Sequence, residues 1–304
     1  MDLHLRDQHI LITGGSKGIG LACAEAFLQE GARVTLVSRD AGNLARARER
    51  LAAHGAHRIH THAADLRDAN AAQVALDAAE AAMGAVEVLV NSAGAAKRTP
   101  APELTPQAWQ DAMQAKYFSY IHMIDPTIKR MAQRGRGNIV NVVGNGGKVA
   151  SPIHLPGGAA NAALMLASAG LAAAYGPQGI RVNAVNPGAT RTERLKEGLA
   201  ADARMQGITS DEAMQRSVAR IPLGRMAEPE EIARVVLFLA SPLAGWVTGQ
   251  TIAVDGGRLR IDRDACAACA DFRCAAVCGS GALQIGQLKI GCVDCCVGEV
   301  GFSH

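Results

Sequence analysis

Aromatic residues are scarce in this 304-residue chain, at 3% of its length: five Phe, three Tyr and two Trp. A core built around large rings is excluded, so Ala, Val, Leu and Ile must fill it, and a 49% hydrophobic content suffices for that. An excess of charge of one sign is also missing. With 31 basic and 28 acidic residues the net charge is +3, too balanced to imply a nucleic-acid partner. No apolar run reads as long enough to cross a bilayer, and the N-terminus lacks a signal-peptide core. These absences predict a soluble, cytoplasmic protein without a membrane partner. Cysteine is nearly absent from most of the chain. Cys23 alone precedes residue 258, whereas the other seven fall between Cys266 and Cys296. A reducing compartment disfavours disulfides, which directs attention to metal or cluster ligation. The contrast also divides the chain into 1–258 and a Cys-rich extension, 259–304.

What is present first is rhythm. Short β-rich runs alternate with longer amphipathic or Ala-rich stretches, the pattern of a parallel sheet covered by helices. Strands are expected at His9–Thr13, Arg33–Ser38, Arg58–Ala63, Glu87–Asn91, Asn138–Val143, Arg181–Asn186 and Thr251–Val254. Helices are expected at about 18–30, 42–53, 70–83, 106–133, 158–175 and 228–240. Runs such as Val86-Glu87-Val88-Leu89-Val90 are almost wholly apolar, as strands covered on both faces require. The predicted fold is α/β: a Rossmann-type, doubly wound parallel sheet of about seven strands. Residues 190–226 break the rhythm with mixed charge and read as a mobile segment over a site. No internal repeat is visible.

The first strand runs into Thr13-Gly14-Gly15-Ser16-Lys17-Gly18-Ile19-Gly20, with a helix behind it. Glycines let the backbone turn sharply and approach a pyrophosphate, whose charge then lies at a helix N-terminus. Four further features recur at suitable places: Asp65-Leu66, Asn91-Ser92-Ala93-Gly94, Asn186-Pro187-Gly188 and Val254-Asp255-Gly256-Gly257. Together they resemble the short-chain dehydrogenase/reductase family across residues 5 to 258. The resemblance implies a nicotinamide dinucleotide. It places Asp65 and Leu66 at the adenine, Asn91 under the cofactor ribose with Ala93 and Gly94 beside it, and Pro187, Gly188 and Thr192 around the nicotinamide. The second strand ends Val37-Ser38-Arg39, with no acid to accept from both adenosine ribose hydroxyls. Arg39 and Lys17 can instead neutralise a 2′-phosphate, so NADP(H) is favoured over NAD(H).

Members of that family usually carry an Asn in the long helix, a Ser after the fifth strand, and a Tyr and a Lys four residues apart. By the same resemblance the Tyr transfers the proton, the Lys lowers its pKa and holds the ribose, and the Ser polarises the carbonyl. Counted from Trp109 and Ile139-Val140-Asn141-Val142, those positions hold Lys116, Gly144, Gly157 and Asn161. No tyrosine occurs between Tyr120 and Tyr175, so no short slip of register recovers one. Three residues are candidate substitutes: His154, Lys148 and Lys116. His154 is expected on a loop beside the pocket, titrating near neutrality. Lys116 reads either as the partner of an acidic neighbour or as filling the lost Lys space. Hydride transfer needs only a positioned nicotinamide, so the chain reads as an oxidoreductase for a carbonyl/alcohol pair with an altered proton path. The alternative is a catalytically inactive NADP(H)-binding sensor or partner subunit. Family members pair through the helices at 106–133 and 158–175, which implies a homodimer or homotetramer.

In the tail, Cys266, Cys269, Cys274 and Cys278 follow a C-x₂-C-x₄-C-x₃-C spacing with Gly-Ala-Leu behind it. This resembles a ferredoxin-like iron–sulfur segment, with Gly279 where Pro is usual. A [4Fe–4S] cluster, a tetrahedral zinc and an unoccupied tail all remain open. Cys292, Cys295 and Cys296 begin a second such motif without completing it. His54, His57, His60 and His62 straddle a helix end and a strand and read as surface histidines. Lys97, Arg98, Arg191, Arg194 and Lys196 flank the expected substrate mouth, where a solvated rim or a docking field for an acidic substrate are both consistent with them.

Overall fold

Seven strands form one all-parallel sheet in a computed structural model that describes residues 2–94 and 96–261, and in the tail the short strands Leu283–Ile285, Leu288–Ile290 and Val297–Gly298. The strands are β1 His9–Thr13, β2 Arg33–Ser38, β3 Ile59–Ala63, β4 Val88–Asn91, β5 Gly137–Val142, β6 Ile180–Pro187 and β7 Thr251–Val254. Their order is β3-β2-β1-β4-β5-β6-β7. The order therefore reverses between β1, which pairs with β2 on one side, and β4 on its other. A crevice opens at such a reversal, outside the carboxyl ends of the strands, and in doubly wound sheets ligands bind there.

Helices cover both faces, and each face has its own apolar cluster. On one side α1 (Gly18–Gln29), α2 (Ala41–Leu51) and α9 (Pro229–Ala240) bury Phe27, Leu44, Leu51, Ile232 and Val236 against β1 and β2. On the other, α3 (Ala69–Met83), α5 (Ser119–Gln133) and α6 (Leu155–Tyr175) bury Leu76, Met123, Ile128 and Leu164 against β4 and β5. Phe27 and Tyr120 are the aromatics among the largest fully buried side chains. The aliphatic core expected from the composition is what forms.

Two expectations change. The helix read over 106–133 is divided into α4 (Pro106–Ala112), a π-helical segment Met113–Phe118 and α5. Thr105 caps α4 by accepting from the Ala108 amide at 3.2 Å, with Pro106 at the first turn. The π segment widens the turn at Lys116, as π-bulges at functional sites do. Residues 190–226, read as a mobile segment, carry α7 (Glu193–Gln206) and α8 (Ser210–Ala219). Thr209 and Glu212 form a capping box on α8, and Leu199, Ala203, Ala213, Ile221 and Met226 give the segment a small core. Mixed surface charge concealed that apolar stripe.

The stretch Leu155–Gln178 is long and apolar enough by composition to cross a bilayer, which corrects the expectation that no such run exists. It is the Ala-rich helix α6 lying against β6 and the sheet. One such helix is weak evidence for a membrane, because core helices share the composition.

Candidate active site

The crevice is lined first by the turn after β1. Gly14 (φ 66°) has no room for a side chain: a β-carbon there would fall 2.8 Å from the Ala93 backbone. One at Gly20 would fall 2.3 Å from the Gly14 carbonyl oxygen. The loops after β1 and β4 thus touch backbone to backbone. Thr13 fastens them, donating to Asn91 Oδ1 at 3.2 Å and accepting from the amides of Ser92 and Ala93 at 3.2 and 3.3 Å. Among the described residues no side chain caps the first turn of α1, whose N-cap is Lys17, so its amides stay open toward the crevice, where an anion is stabilised. Gly18 faces Thr192 across it, and Ile19 lies in that first turn. This tight, uncapped cradle fits the pyrophosphate of a dinucleotide.

The rest of the predicted cofactor set surrounds the same crevice. Asn91 donates to Asn141 Oδ1 at 3.0 Å, and Asn141 to Ser168 Oγ at 2.9 Å, a buried polar chain from β4 through β5 to α6. Asn186 donates to the Val143 carbonyl at 2.6 Å. Beyond Pro187, Gly188 packs so closely on Asp255 that a β-carbon would lie 2.8 Å from its Cα. Thr192 caps α7, accepting from the Leu195 amide at 3.3 Å. Leu66 is buried, while Asp65 is held by Arg67 at 2.5 Å, and that guanidinium keeps its carboxyl below the usual range. Ser16 donates to Ser38 Oγ at 3.0 Å, joining the Gly-rich turn to the end of β2. Lys17 and Arg39 are exposed there and make no salt bridge among the described residues.

Lys116, Gly144, Gly157 and Asn161 come together with His154 on the far side of the crevice. A β-carbon built at Gly144 would lie 3.3 Å from Asn161 Nδ2. One built at Gly157 would fall 2.2 Å from His154 Cε1, and one at Gly146 3.5 Å from His154 Cδ2. The His154 ring therefore fills the space a side chain at 157 would enter. His154 is the N-cap of α6 and gives no side-chain cap; its buried Nδ1 has no partner. The expectation of a loop histidine titrating near neutrality is corrected. Burial, then the positive charges of Arg98, Arg194 and Lys116, push its pKa down to about 4, so it is neutral at pH 7. Asn161 is 4% exposed, and its Oδ1 also lacks a partner. Such orphaned acceptors at a crevice suit a bound ligand's hydroxyls.

Among the described residues Lys116 pairs with no acid, contrary to one of its two readings. Its Nζ donates to Tyr120 Oη at 3.0 Å and to the Val142 carbonyl at 3.3 Å, and stands 4.6 Å from the centre of the Tyr120 ring. Tyr120 donates its own hydroxyl proton to Val142 O at 2.7 Å. Burial, then the charge of Arg194, push the Lys116 pKa down to about 7, and burial pushes Tyr120 up. Lys116 and Tyr120 are four residues apart, a spacing that places them on one helical face, and that signal was legible. Lys148 closes the Asn145–Gly147 turn and joins none of these contacts.

With a glycine cradle, a topological switch point and this residue cluster in one crevice, comparison with known proteins is decisive. The family model described as enoyl-(acyl carrier protein) reductase matches residues 14–258. The chain belongs to the short-chain dehydrogenase/reductase family. It is 35% identical to D-threitol dehydrogenase of Mycolicibacterium smegmatis, over 84% of this chain and 94% of that one. It is 36% identical to 2-(S)-hydroxypropyl-CoM dehydrogenase 3 of Xanthobacter autotrophicus, over 86% and 100%. Among solved structures, an actinorhodin polyketide ketoreductase with NADPH superposes with a TM-score of 0.80 at 30% identity, covering 83% and 97% of the chains. An NADPH-bound short-chain oxidoreductase of Pseudomonas aeruginosa, described as containing an atypical catalytic center, gives 0.75 at 32%, covering 83% and 96%. The cysteines Cys266, Cys269, Cys274 and Cys278, and Cys292, Cys295 and Cys296 after them, lie outside the described residues of this dehydrogenase/reductase. Among the described residues, no group of three or more His, Cys, Asp or Glu is placed to hold a metal.

Proposed function

We propose that this short-chain dehydrogenase/reductase interconverts a carbonyl and an alcohol using NADP(H), with Lys116 as its proton-transfer group. The observation that carries this is the Lys116 ammonium, held in the crevice by Tyr120 Oη at 3.0 Å and the Val142 carbonyl at 3.3 Å; burial there brings it to about pKa 7, where an acid–base group is most effective. The named relatives are dehydrogenases, which favours turnover over a silent sensor.

When bound, the nicotinamide supplies or accepts the hydride. The chain does the rest. The amides at the start of α1 hold the pyrophosphate, and Arg39 with Lys17 meets a 2′-phosphate. Asn161 Oδ1 accepts from a ribose hydroxyl in place of a lysine. In the reductive direction Lys116 gives one N–H proton to the carbonyl oxygen and is left as a neutral amine, which solvent reprotonates. In the oxidative direction the neutral amine takes the hydroxyl proton. Val142 O and Tyr120 Oη use two of the three ammonium hydrogens, leaving one for the substrate. His154, neutral and packed over Gly157, closes the wall that a tyrosine forms in other members. The Cys266, Cys269, Cys274 and Cys278 set is proposed to hold a [4Fe–4S] cluster or a zinc, on its spacing alone.

Calorimetric titration tests the cofactor assignment. NADPH should bind more tightly than NADH, and Arg39→Asp should narrow or invert the difference. Equal affinity of the native protein for both would overturn it. A panel of aldehydes and ketones with NADPH tests the reaction class, and binding without turnover of any of them would leave a sensor or partner subunit.

A further inference from the structure

The cations at the mouth of the crevice are not equivalent. Arg191 is paired with Glu228 at 3.1 Å and Lys196 with Glu193 at 2.9 Å; these two and Arg194 are all exposed. Arg194 is placed differently. It stands in the first turn of α7, where the helix dipole disfavours a cation, so its position does nothing for the helix. Its Nη1 donates to the Gly94 carbonyl at 2.8 Å, in the loop after β4. Among the described residues no carboxylate lies within salt-bridge distance of it; the one carboxylate named among the charges acting on it, after Tyr120 and Arg98, is Glu197 on the same helix.

Arg98 reaches the same place from another loop. Its guanidinium lies along α7, 2.9 Å from where a β-carbon at Gly198 would be. It holds Asp202 through one nitrogen at 3.3 Å. The Thr99 amide donates to the Ile153 carbonyl at 3.0 Å, which ties this loop to the one bearing His154. The charges of Arg98, Arg194 and Lys116 all act on the His154 ring, from three separate elements. Against them stand Asp202, already engaged, and Glu197. A crevice lined in this way concentrates positive potential where a substrate enters.

We propose that the substrate carries a carboxylate, or an oxyanion of like charge, which Arg194 and Arg98 hold while its carbonyl or alcohol carbon lies beside Lys116. This deepens the oxidoreductase reading and rests on it for the position of the reacting carbon. A guanidinium suits the task because its planar fork meets two oxygens at once, and Arg194 has donors left after Gly94. Placing the anion on Arg194 also relieves the mutual repulsion of three cations.

Binding can be read without turnover. The full chain loaded with NADP⁺, which cannot reduce a carbonyl, is titrated calorimetrically with straight-chain oxo acids, their carbonyl and carboxylate two to five carbons apart, and with their methyl esters. The corresponding sulfonates and phosphates form a second arm. The acids should bind at least tenfold more tightly than the esters. Arg194→Ala should abolish that preference without altering ester or NADPH affinity, and Arg98→Ala should weaken it less. Tight sulfonate or phosphate binding with the same arginine dependence would keep the oxyanion site and move the substrate away from carboxylates. Equal binding of acids and esters, or no binding by any oxyanion, would overturn the proposal. So would weakened NADPH binding in Arg194→Ala, which would give that guanidinium to the cofactor. Arginine-dependent binding of acids with no NADPH oxidation would keep the anion site and remove the oxidoreductase reading instead.

Discussion

His154 lies directly over Gly157: a β-carbon at 157 would stand 2.2 Å from His154 Cε1 and 2.4 Å from Nε2. The glycine and the histidine are therefore one packing unit. Adding even a methyl group at 157 should cost about 1–3 kcal/mol, because the partly buried ring must be pushed out of the space it fills. Urea unfolding of Gly157→Ala, His154→Ala and the double variant should show strong coupling, with the double variant recovering most of the loss from Gly157→Ala. Additive losses would mean that the two positions do not compete for the same space. For the same reason, restoring Gly144→Ser, Gly157→Tyr and Asn161→Lys should raise carbonyl reduction only in a His154→Ala background.

Lys116 should govern the pH profile. Its pKa is lowered to about 7, so the ammonium that donates the proton disappears as pH rises through 7. Reduction should fall, and oxidation should rise, across that range. Lys116→Met should flatten both limbs and lower turnover by about 10²–10⁴-fold. The groups facing Lys116 are Tyr120, the Val142 carbonyl, Arg194 and the His154 ring; burial moves the Tyr120 hydroxyl up and brings His154 down to about 4, so neither titrates with Lys116 near neutrality.

The same shift has a stability consequence of known sign. The unfolded chain keeps the Lys116 proton up to its ordinary 10.5, whereas the folded chain has released it by about 7. Between those values the unfolded state binds more protons, so stability should rise with pH from 7 toward 10.5. Urea unfolding at pH 7 and pH 9 should show this rise in the native chain and a smaller one in Lys116→Met.

His9 should weaken the fold in acid. Its ring is fully buried, with Nδ1 2.7 Å from the Gly84 carbonyl and Nε2 2.9 Å from Thr35 Oγ1, and burial pushes its pKa down to about 4. Its contribution is complete above the unfolded value of 6.5 and is lost as pH falls through about 4. Two and a half units correspond to about 3 kcal/mol. His9→Gln should start less stable at pH 7 and lose less between pH 6.5 and 4.

The outer face of α6 should be an interface. Ala162, Ala169 and Ala173 are exposed along it, and Leu166 is 77% exposed. Small residues permit close helix approach around one protruding leucine. Light scattering should give the mass of a dimer or tetramer at micromolar concentration, and Leu166→Glu should reduce it.

The tail should be coloured. Anaerobically purified full chain should absorb broadly near ~400 nm with about four irons per chain. Cys269→Ser should remove the colour and spare NADPH binding. Colourless protein with one zinc per chain would replace the cluster by a tetrahedral site, and metal-free protein would leave the tail unoccupied.

Periodicity alone led to the seven parallel strands, because apolar runs flanked by helical stretches have one economical arrangement. Glycine spacing led to the crevice, since Gly14 and Gly20 are positions that no β-carbon could occupy. That the residues at 116, 144, 157 and 161 lie on one side of that crevice was legible by counting from fixed strands along the family pattern. Their use was not. That His154 is neutral rather than poised, that Lys116 donates to the Val142 carbonyl, and that Arg194 crosses to Gly94 depend on groups 26 to 100 residues apart in the chain. Desolvation and charge are set by what surrounds a side chain in space, and linear spacing carries no measure of that. The helices at 193–206 and 210–219 escaped notice because their apolar stripe closes only on itself. A local pattern can specify an element; burial, and the pKa that follows from it, belongs to the assembled fold.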